Sequence, residues 1–398
     1  MKYFSVVFFT IVLLTFSAQT FAVDFTVNLT SNQPDAKRDD GVCDIDLATA
    51  ELECTLRAAV DQTNILGSND RILFNLPANS IITLTNTNSI GELVISTIGD
   101  TLEIIGTGAN NLTIDGGAGT NRIFSVLNTT VIISDVTLTG GNGTSERAFG
   151  DSGFGGAVFS EGGFLTLDRV HITGNTASGS GGGVYFFRNG RHRITNSTFS
   201  ANTAGFSCGG FFNNTSMLTV VNSTISGNTA AKSGGGFCNS NNGSTMLRNV
   251  TVTYNTAMSG GGITQSSGML NFVNTIVAAN TAAESSAPEI QFDSGTFTSA
   301  GGNLVGDSAG DSTNTGNVVA YQLTDILDTN PILGTLQNNG GTTPTHALLP
   351  GSPAINAGNN IDATATDQRG FTRIAGNTVD IGAFEFTPAK SRKRVRFF

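Results

Sequence analysis

The tripeptide Asn-Thr-Ala recurs at nearly constant spacing, and this repeat restricts the fold more than any other feature of the chain. Its Asn residues follow one another after 27, 26, 27 and 25 residues. Each unit holds two short runs of alternating apolar and polar residues and a glycine-rich third run, without helical periodicity. Three strands in a period of about 26 residues predict an all-β fold, a right-handed single-stranded parallel β-helix. The repeated residues are Asn175, Asn202, Asn228, Asn255 and Asn280.

The composition agrees with such a fold. Of the 398 residues, 50 are Gly and only 13% are charged, and Ser, Thr and Asn are abundant instead. Gly and Asn weaken helices, whereas Thr and Val favour strands. We expect the β-helix to span residues 72–327. The net charge of −10 argues against nucleic acid as a partner.

Two further rows of residues keep the same register. Six residues before four of the five repeated Asn residues stands another Asn; Arg169 holds this place before Asn175, and Asp135 holds it one coil earlier. Equal positions of successive coils lie about 4.8 Å apart, so we expect amide ladders in both Asn rows and an ion pair between Asp135 and Arg169. The second row comprises Asn196, Asn222, Asn249 and Asn274.

The glycine pairs form a third row. They are expected where the coil turns sharply and backbones approach closely. A phosphate-binding loop is disfavoured, because no Lys-Ser/Thr follows the glycines. The pairs are Gly182-Gly183, Gly209-Gly210, Gly235-Gly236 and Gly261-Gly262.

The two ends carry different signals. Residues 1–22 read as a signal peptide, with Lys2, an apolar run too short to span a bilayer comfortably, and small residues before Ala22. An uncleaved membrane anchor is the alternative. Residues 387–398 form a tail that holds five of the 20 basic residues. This tail is either a solvated end or a contact for anionic lipid or polysaccharide. The signal peptide predicts a secreted or cell-surface protein.

Residues 23–71 are expected to cap the first coil. The apolar spacing becomes helical at Leu56, Ala59 and Val60, and Thr55 can cap the helix. Ile65 continues that spacing. A short amphipathic helix would cover the open sheet edge of a solenoid.

The sequence "CTLRAA" of this cap resembles the CSLREA motif of exported bacterial β-helix proteins. It departs at Ala58, where the family has Glu. Cys43 and Cys54 are close in a polar stretch of an exported chain, which suggests a disulfide. The resemblance, which includes the upstream Asp-Asp-Gly and Cys43, supports that pair. Cys208 and Cys238 occupy different rows, which argues against a bond between them, and their pairing stays open.

Residues 328–386 resemble the choice-of-anchor Q domain that ends many such proteins, with the match running from Leu336 to Phe386. The middle coils resemble repeats of polymorphic outer-membrane and adhesin-like β-helices. Together these resemblances imply an exported protein, with peripheral association to the outer envelope, but they imply no reaction. Ion pairs and turn bonds that tie an irregular cap to the last coil are expected of its polar residues, rather than catalysis. These are His346, Asp367, Arg369, Arg373, Asp380 and Glu385.

Parallel β-helices include pectate lyases and polygalacturonases, so we examined catalytic patterns. The clustered Asp residues, His-Gly and Arg-x-Lys of a polygalacturonase-like site are not in register here. A basic cluster near His171 could neutralise a uronate and take its α-proton. The alternative is an exposed basic loop at a coil corner, with Asp168 pairing to Arg193 and with His171 on a different sheet from His192. The loop residues are Arg188, Arg191, His192 and Arg193.

Polar side chains, all but His171 bearing a hydroxyl, recur four and two residues before the first four repeated Asn residues and at the same places one coil earlier. Alternation places both members of each pair outside one sheet, which predicts a flat array at rung spacing. The array resembles ice-binding β-helix faces and also suits sugar hydroxyls, although Thr is simply a good strand residue. The predicted positions are Thr137, Thr139, His171, Thr173, Thr198, Ser200, Thr224, Ser226, Thr251 and Thr253.

The sequence therefore predicts a non-catalytic secreted or surface-exposed adhesion or recognition protein, with an extracellular glycan or protein as its partner. The alternative is a polysaccharide lyase or glycoside hydrolase of the β-helix type. Neither a metal nor another cofactor is expected.

Overall fold

The computed structural model describes residues 22–66, 69–84, 91–96, 101–117, 119, 121–144, 153–284, 287–309 and 319–388. The predicted signal peptide, apart from its last residue, and the basic residues of the tail lie outside the described residues. In the described part, parallel strands stack into a β-solenoid with one α-helix, Leu56–Leu66. The predicted fold class is confirmed.

Three main strands form most coils, and each strand pairs with its equivalents one coil before and after. The first and second stacks together make a 17-stranded sheet, the third an eight-stranded sheet and the Thr-Ala dipeptides a five-stranded sheet. The first stack comprises Asp24–Val27, Arg71–Phe74, Thr101–Ile105, Thr130–Ser134, Phe164–Asp168, Arg191–Thr195, Met269–Val273 and Thr296–Ser299. The second comprises Ser80–Thr83, Leu112–Asp115, Thr137–Thr139, His171–Thr173, Thr198–Ser200, Ile276–Ala278 and Leu304–Val305. Two longer strands, Met217–Ser226 and Ser244–Thr253, belong to both.

The remaining strands complete the coils. The third stack comprises Leu93–Ile95, Phe124–Leu127, Val158–Glu161, Val184–Phe187, Phe211–Asn214, Phe237–Ser240, Ile263–Gln265 and Ile290–Phe292. The Thr-Ala strands are Thr176–Ala177, Thr203–Ala204, Thr229–Ala230, Thr256–Ala257 and Thr281–Ala282. Outside the solenoid, Leu333–Gln337 and Thr345–Leu348 form an antiparallel hairpin, and Asn360–Asp362 is a 3-10 helix.

Inward side chains repeat from coil to coil and fill the interior. Ile172, Phe199 and Ile225 occupy one fully buried row, and the Phe211 and Phe237 rings stack with centroids 4.7 Å apart. Burying such apolar side chains is the main stabilising contribution in a fold whose charged residues are few.

The repeated Asn residues form the predicted ladder. Each amide nitrogen donates to the amide oxygen one coil further on at 2.9 Å, from Asn175 through to Asn280. The same oxygens accept the backbone N–H of the preceding coil's Asn at 2.9–3.1 Å. At the C-terminal end, Asn280 donates to Glu289 Oε2 at 2.6 Å. A buried carboxylate therefore ends the ladder.

The charge on Glu289 gives the ladder a pH dependence. Burial raises the pKa of Glu289 from its ordinary value to about 7. The folded state then holds a proton that the unfolded chain loses near its ordinary value of 4.5. The stabilising contribution of Glu289 is therefore fully present below that value and is lost as the pH rises through about 7.

Glu289→Gln should remove this dependence, because Gln keeps an acceptor for Asn280 without a charge. We expect the variant to exceed the wild type in unfolding free energy by about 2 kcal/mol at pH 8 and to match it at pH 4.5. Urea denaturation at both pH values measures the difference. A difference that is the same at both would contradict the assignment.

The second Asn row differs from the expected amide ladder. Asn196, Asn222, Asn249 and Asn274 have left-handed backbones with φ from 48° to 54°. Within the row only Asn222 Nδ2 and Asn196 Oδ1 approach, at 3.5 Å. A left-handed turn is favourable for Asn, and the side chains of Asn222 and Asn274 bind the C-terminal segment, whereas Asn196 binds Asp168. The predicted ion pair of Asp135 and Arg169 is confirmed at 2.6 Å.

The glycine pairs are explained by close backbone approach. A Cβ on Gly183, Gly210 or Gly236 would lie 2.5 Å from the carbonyl oxygen one coil away. The residue directly before each pair has a positive φ, as at Gly181, Cys208 and Gly234. The pairs therefore let the coils stack, and the preceding residues make the corner.

This corner also explains a disulfide that the row argument disfavoured. Cys208 and Cys238 are bonded, with Cα atoms 5.3 Å apart. The chain folds back at the corner, so that the Cys238 sulfur lies over Gly234, where a Cβ would be 2.4 Å away. Gly234 is the residue stacked against Cys208, so two different rows meet there.

The N-terminal cap has the predicted helix. Thr55 caps it, since Ala58 N donates to Thr55 Oγ1 at 3.0 Å, and the predicted Cys43–Cys54 disulfide is present. Ile65 is half-exposed instead of continuing the buried face. The strand Asp24–Val27 pairs with Arg71–Phe74, so the solenoid begins within the predicted cap region.

Residues 331–386, which we call the brace, lie along the flank of the solenoid. They contact coils from Asn196 to Asn274, instead of tying only to the last coil as expected. A second apolar cluster joins the brace to the solenoid through Leu348, Ile381 and the strand Ile276–Ala278. The brace therefore stabilises several coils at once.

The α-helix, at 11 residues, is too short to cross a membrane, and no other helix of the described residues could span one.

Candidate functional site

The predicted hydroxyl array lies outside the second stack, as alternation required, but the brace covers most of it. Thr198 Oγ1 donates to Pro344 O at 2.6 Å, and Thr224 Oγ1 donates to Gln368 Oε1 at 2.7 Å. Gln368 Nε2 donates back to Thr198 Oγ1 at 2.8 Å. Thr251 Oγ1 accepts from the backbone of the brace as well.

This arrangement corrects the prediction of an open binding array. The array is a docking surface for the chain's own C-terminal segment, because alternation fixes the side of the sheet and not what covers it. Thr139, His171 and Thr173 keep partial exposure. The buried members are Thr137, Thr198, Ser200, Thr224, Ser226, Thr251 and Thr253.

The polar residues of the brace hold it together, as the sequence predicted. Arg369 pairs with Asp367 at 2.6 Å, and Arg373 lies 3.6 Å from Glu385. Arg373 also donates to Asn222 Oδ1 at 3.0 Å, which ties the brace to the second Asn row. Burial raises the pKa of Asp380 to about 6, although backbone N–H groups bind it. These contacts are structural ones.

A groove of about 380 Å³ remains open where the hairpin of the brace meets the solenoid. His346 forms one wall, and its Nε2 lies 2.8 Å from Ser226 Oγ. Tyr254 stands at the edge with its ring 5.3 Å from that of His346 and nearly half exposed. Ser200 also lines the groove and contacts His171 Nε2 at 2.8 Å. Tyr254 was not singled out in the sequence, although it stands where other repeats have Gly or Ala.

The outer side of the first stack is uncovered. Its outward positions in five neighbouring coils, together with Thr130 and Ile132 before them, hold four charged residues. Asp168 and Arg248, at the last outward position of their coils in this stack, are paired with Arg169 and Asp362, whereas Arg191 and Arg193 have no such partner among the described residues. Exposed apolar side chains surround them, including Phe164 and Met217, which flank Arg191 on the adjacent strands. We call this surface the open face. Its members are Thr130, Ile132, Phe164, Thr166, Arg191, Arg193, Met217, Thr219, Ser244, Met246, Met269 and Asn271.

The predicted basic loop is divided by the structure. Arg191 and Arg193 point outward from a strand, but His192 points inward and stacks on Phe186 with ring centroids 4.5 Å apart. Arg188 lies at a left-handed corner, paired with Glu161.

The expected pairing of Asp168 with Arg193 is wrong. Thr166 is opposite Arg193, and Asp168 instead binds Arg169, Thr195 and Asn196. Neither Arg191 nor Arg193 forms a side-chain hydrogen bond or ion pair with a described residue.

The histidines are unsuited to acid–base work near neutral pH. Burial lowers the pKa of His171 to about 4 and that of His192 to about 3, and it lowers the pKa of His346 as well. All three are therefore neutral at pH 7. Within the described part of the chain, no group of three or more His, Cys, Asp or Glu side chains is placed to hold a metal ion.

Comparison with known proteins gives no further guide, since no protein-family model and no curated protein matches the chain. The two disulfides indicate an extracellular or otherwise oxidising compartment.

Proposed function

We propose that this chain is an exported, non-catalytic recognition or adhesion protein that binds an anionic glycan on its open face. The proposal keeps the resemblance to exported β-helix proteins with CSLREA-type and choice-of-anchor Q-like ends. The observation that carries it is the position of Arg191 and Arg193, two exposed guanidinium groups on one strand of an otherwise acidic protein, neither of them paired with a described residue.

The chemistry of the open face supports an anionic partner. Arg presents a planar fork of donors that matches carboxylate or sulfate oxygens in pairs. The carboxylate next to the open face, Asp168, is bound to Arg169, Thr195 and Asn196, so it does not pair with the two guanidinium groups. Phe164 and Met217 provide apolar contact on either side of Arg191, against which the less polar side of a sugar ring can pack.

Non-catalytic binding is favoured over the lyase or hydrolase alternative by the same residues. General acid–base catalysis needs a group that exchanges protons near the working pH. The members of the open face include no His, Asp or Glu; His192 points inward from the same strand and is buried, as is His346, and His171 is partly exposed on the second stack. The wide, flat arrangement of a stacked sheet suits a polymer that extends across several coils.

The test compares the full chain with an Arg191→Gln/Arg193→Gln double variant on immobilised alginate, pectate, heparin and neutral dextran. We expect the wild type to bind at least one anionic glycan, more weakly at higher salt, and the double variant to lose about tenfold or more in affinity. Dextran should not bind.

Arg188→Gln is the matched control, because Arg188 is already paired with Glu161 and its guanidinium lies 5.0 Å from the Phe187 ring centroid. It should leave affinity within about twofold of the wild type, as expected for an exposed pair. Equal binding by the wild type and the double variant would refute the site, as would no binding to any anionic glycan. Release of unsaturated oligosaccharides would refute the non-catalytic role.

A further inference from the structure

The groove between brace and solenoid contains one residue that the fold itself does not explain. Tyr254 has a left-handed backbone with φ of 55°. The equivalent turn in other coils is made by glycine, which suits this conformation, or by alanine, which carries the strain of a Cβ but no ring. These residues are Gly140, Gly174, Ala201, Gly227 and Ala279.

A bulky residue in this conformation is unfavourable by about 1–2 kcal/mol relative to glycine. The side chain is only partly buried, since 48% of Tyr254 remains exposed. Strained backbone of this kind is concentrated at functional sites, where another requirement determines the residue. The ring of Tyr254 borders the groove, next to His346.

The hydrogen bonds of the groove define what it can accept. His346 Nδ1 lies 2.7 Å from Gly334 O, and a carbonyl can only accept, so Nδ1 carries the proton. Nε2 of the neutral ring must then accept from Ser226, 2.8 Å away. The Ser226 oxygen keeps its remaining lone pairs for a donor from a ligand. The groove therefore offers hydrogen-bond acceptors beside an exposed aromatic ring.

The lining offers no charged partner to a ligand and so favours a neutral one. Apart from the neutral His346, its members are Ser, Ala, Gly, Tyr, Leu and Thr residues, none of them ionised at neutral pH. A pyranose ring has one face of C–H groups, which stacks on an aromatic ring, and hydroxyl donors at its edge. A volume of about 380 Å³ is within the usual range of small-molecule sites.

We propose that this groove binds a single neutral sugar ring, stacked on Tyr254 and hydrogen-bonded to Ser226. The site is independent of the open face, which lies on the first stack and selects negative charge. It exists only when the brace is docked, because His346 and Leu333–Leu336 belong to the brace.

The test uses methyl glycosides of glucose, galactose, mannose and N-acetylglucosamine as probes, measured by saturation-transfer NMR and titration with the full chain. At least one should bind the wild type. Tyr254→Gly should weaken that binding about tenfold, the equivalent of one lost aromatic contact. Its melting temperature should not fall, because glycine suits the left-handed turn.

Phe206→Ala is the matched control, since it removes an exposed ring far from the groove lining and should leave the affinity unchanged. Tyr254→Ala provides a second variant with a residue that two other coils already carry at this turn. No saturation transfer to any probe in the wild type would overturn the proposal, as would unchanged affinity in both Tyr254 variants. Loss of anionic-glycan binding in the Arg191/Arg193 variant is a separate readout and does not affect this one.

Discussion

Asn228→Ala is expected to lower the free energy of unfolding by about 4 kcal/mol, because it removes the middle of the Asn ladder. The Asn228 side chain accepts from both nitrogens of Asn202 and donates to Asn255 Oδ1 and Phe199 O. Alanine removes four hydrogen bonds in a fully buried position and leaves the backbone N–H of Asn202 without its acceptor. An unsatisfied buried group is unfavourable by about 1–3 kcal/mol and each further lost hydrogen bond by about 1 kcal/mol, so the sum is large.

Urea denaturation of Asn228→Ala, with Thr229→Ala as the control variant, provides the measurement. Thr229 follows Asn228 directly, but its side chain is exposed, so its truncation should change stability by less than about 0.5 kcal/mol. Asn228→Asp should also destabilise, since a carboxylate accepts but cannot donate to Asn255. Equal stabilities for the Asn228→Ala and Thr229→Ala variants would show that the ladder contributes little.

The second large effect is expected from Gly210→Ala, which should cost about 3 kcal/mol or more. The added Cβ would lie 2.5 Å from Gly236 O, a backbone atom of the next coil, so the coils would have to separate. Gly227→Ala separates this clash from the general effect of losing a glycine. Gly227 has φ of 66° but nothing within 4 Å of a Cβ, so only backbone strain of about 1 kcal/mol applies.

Thermal and urea unfolding of both variants tests the difference. Gly210→Ala should be the less stable by at least about 2 kcal/mol. If Gly227→Ala were equally destabilised, conformational freedom would matter more than coil spacing, and the assigned role of the glycine pairs would be wrong.

The sequence predicted the solenoid well because each coil repeats the environment of the previous one. Asn228 and Gly210 have equivalents at fixed spacing, so periodicity alone reveals their stacking. The bond between Cys208 and Cys238 could not be found in that way, since it joins two different rows across a corner. At this corner Cys238 lies over Gly234, four residues before it in the chain, and so comes close to Cys208. An alignment by rows places the two cysteines in different rows and does not show this contact.

The site was harder to predict than the fold. Alternation correctly placed Thr224 outside the sheet, but nothing periodic marks the contact with Gln368, which lies 144 residues further along the chain. The sequence identifies Arg191 and Arg193 as candidate binding residues. It does not show that His192 between them points inward, because this direction follows only from the strand that holds all three. Tyr254 had a detectable signal, the replacement of Gly or Ala in one repeat of five, but its meaning depends on the groove wall supplied by the brace.

The position of the brace determines the order in which the chain can be completed. Each coil pairs with a neighbour only about 26 residues away, so coils can form one after another as the chain emerges from synthesis or export. The contact between Thr198 and Gln368 spans 170 residues and must wait for nearly the whole chain. Until then, Ile276 and Leu304, which end up packed beneath Ile381 and Phe384, face water. Docking of the brace thus covers an apolar flank of the solenoid that is exposed to water while the coils form.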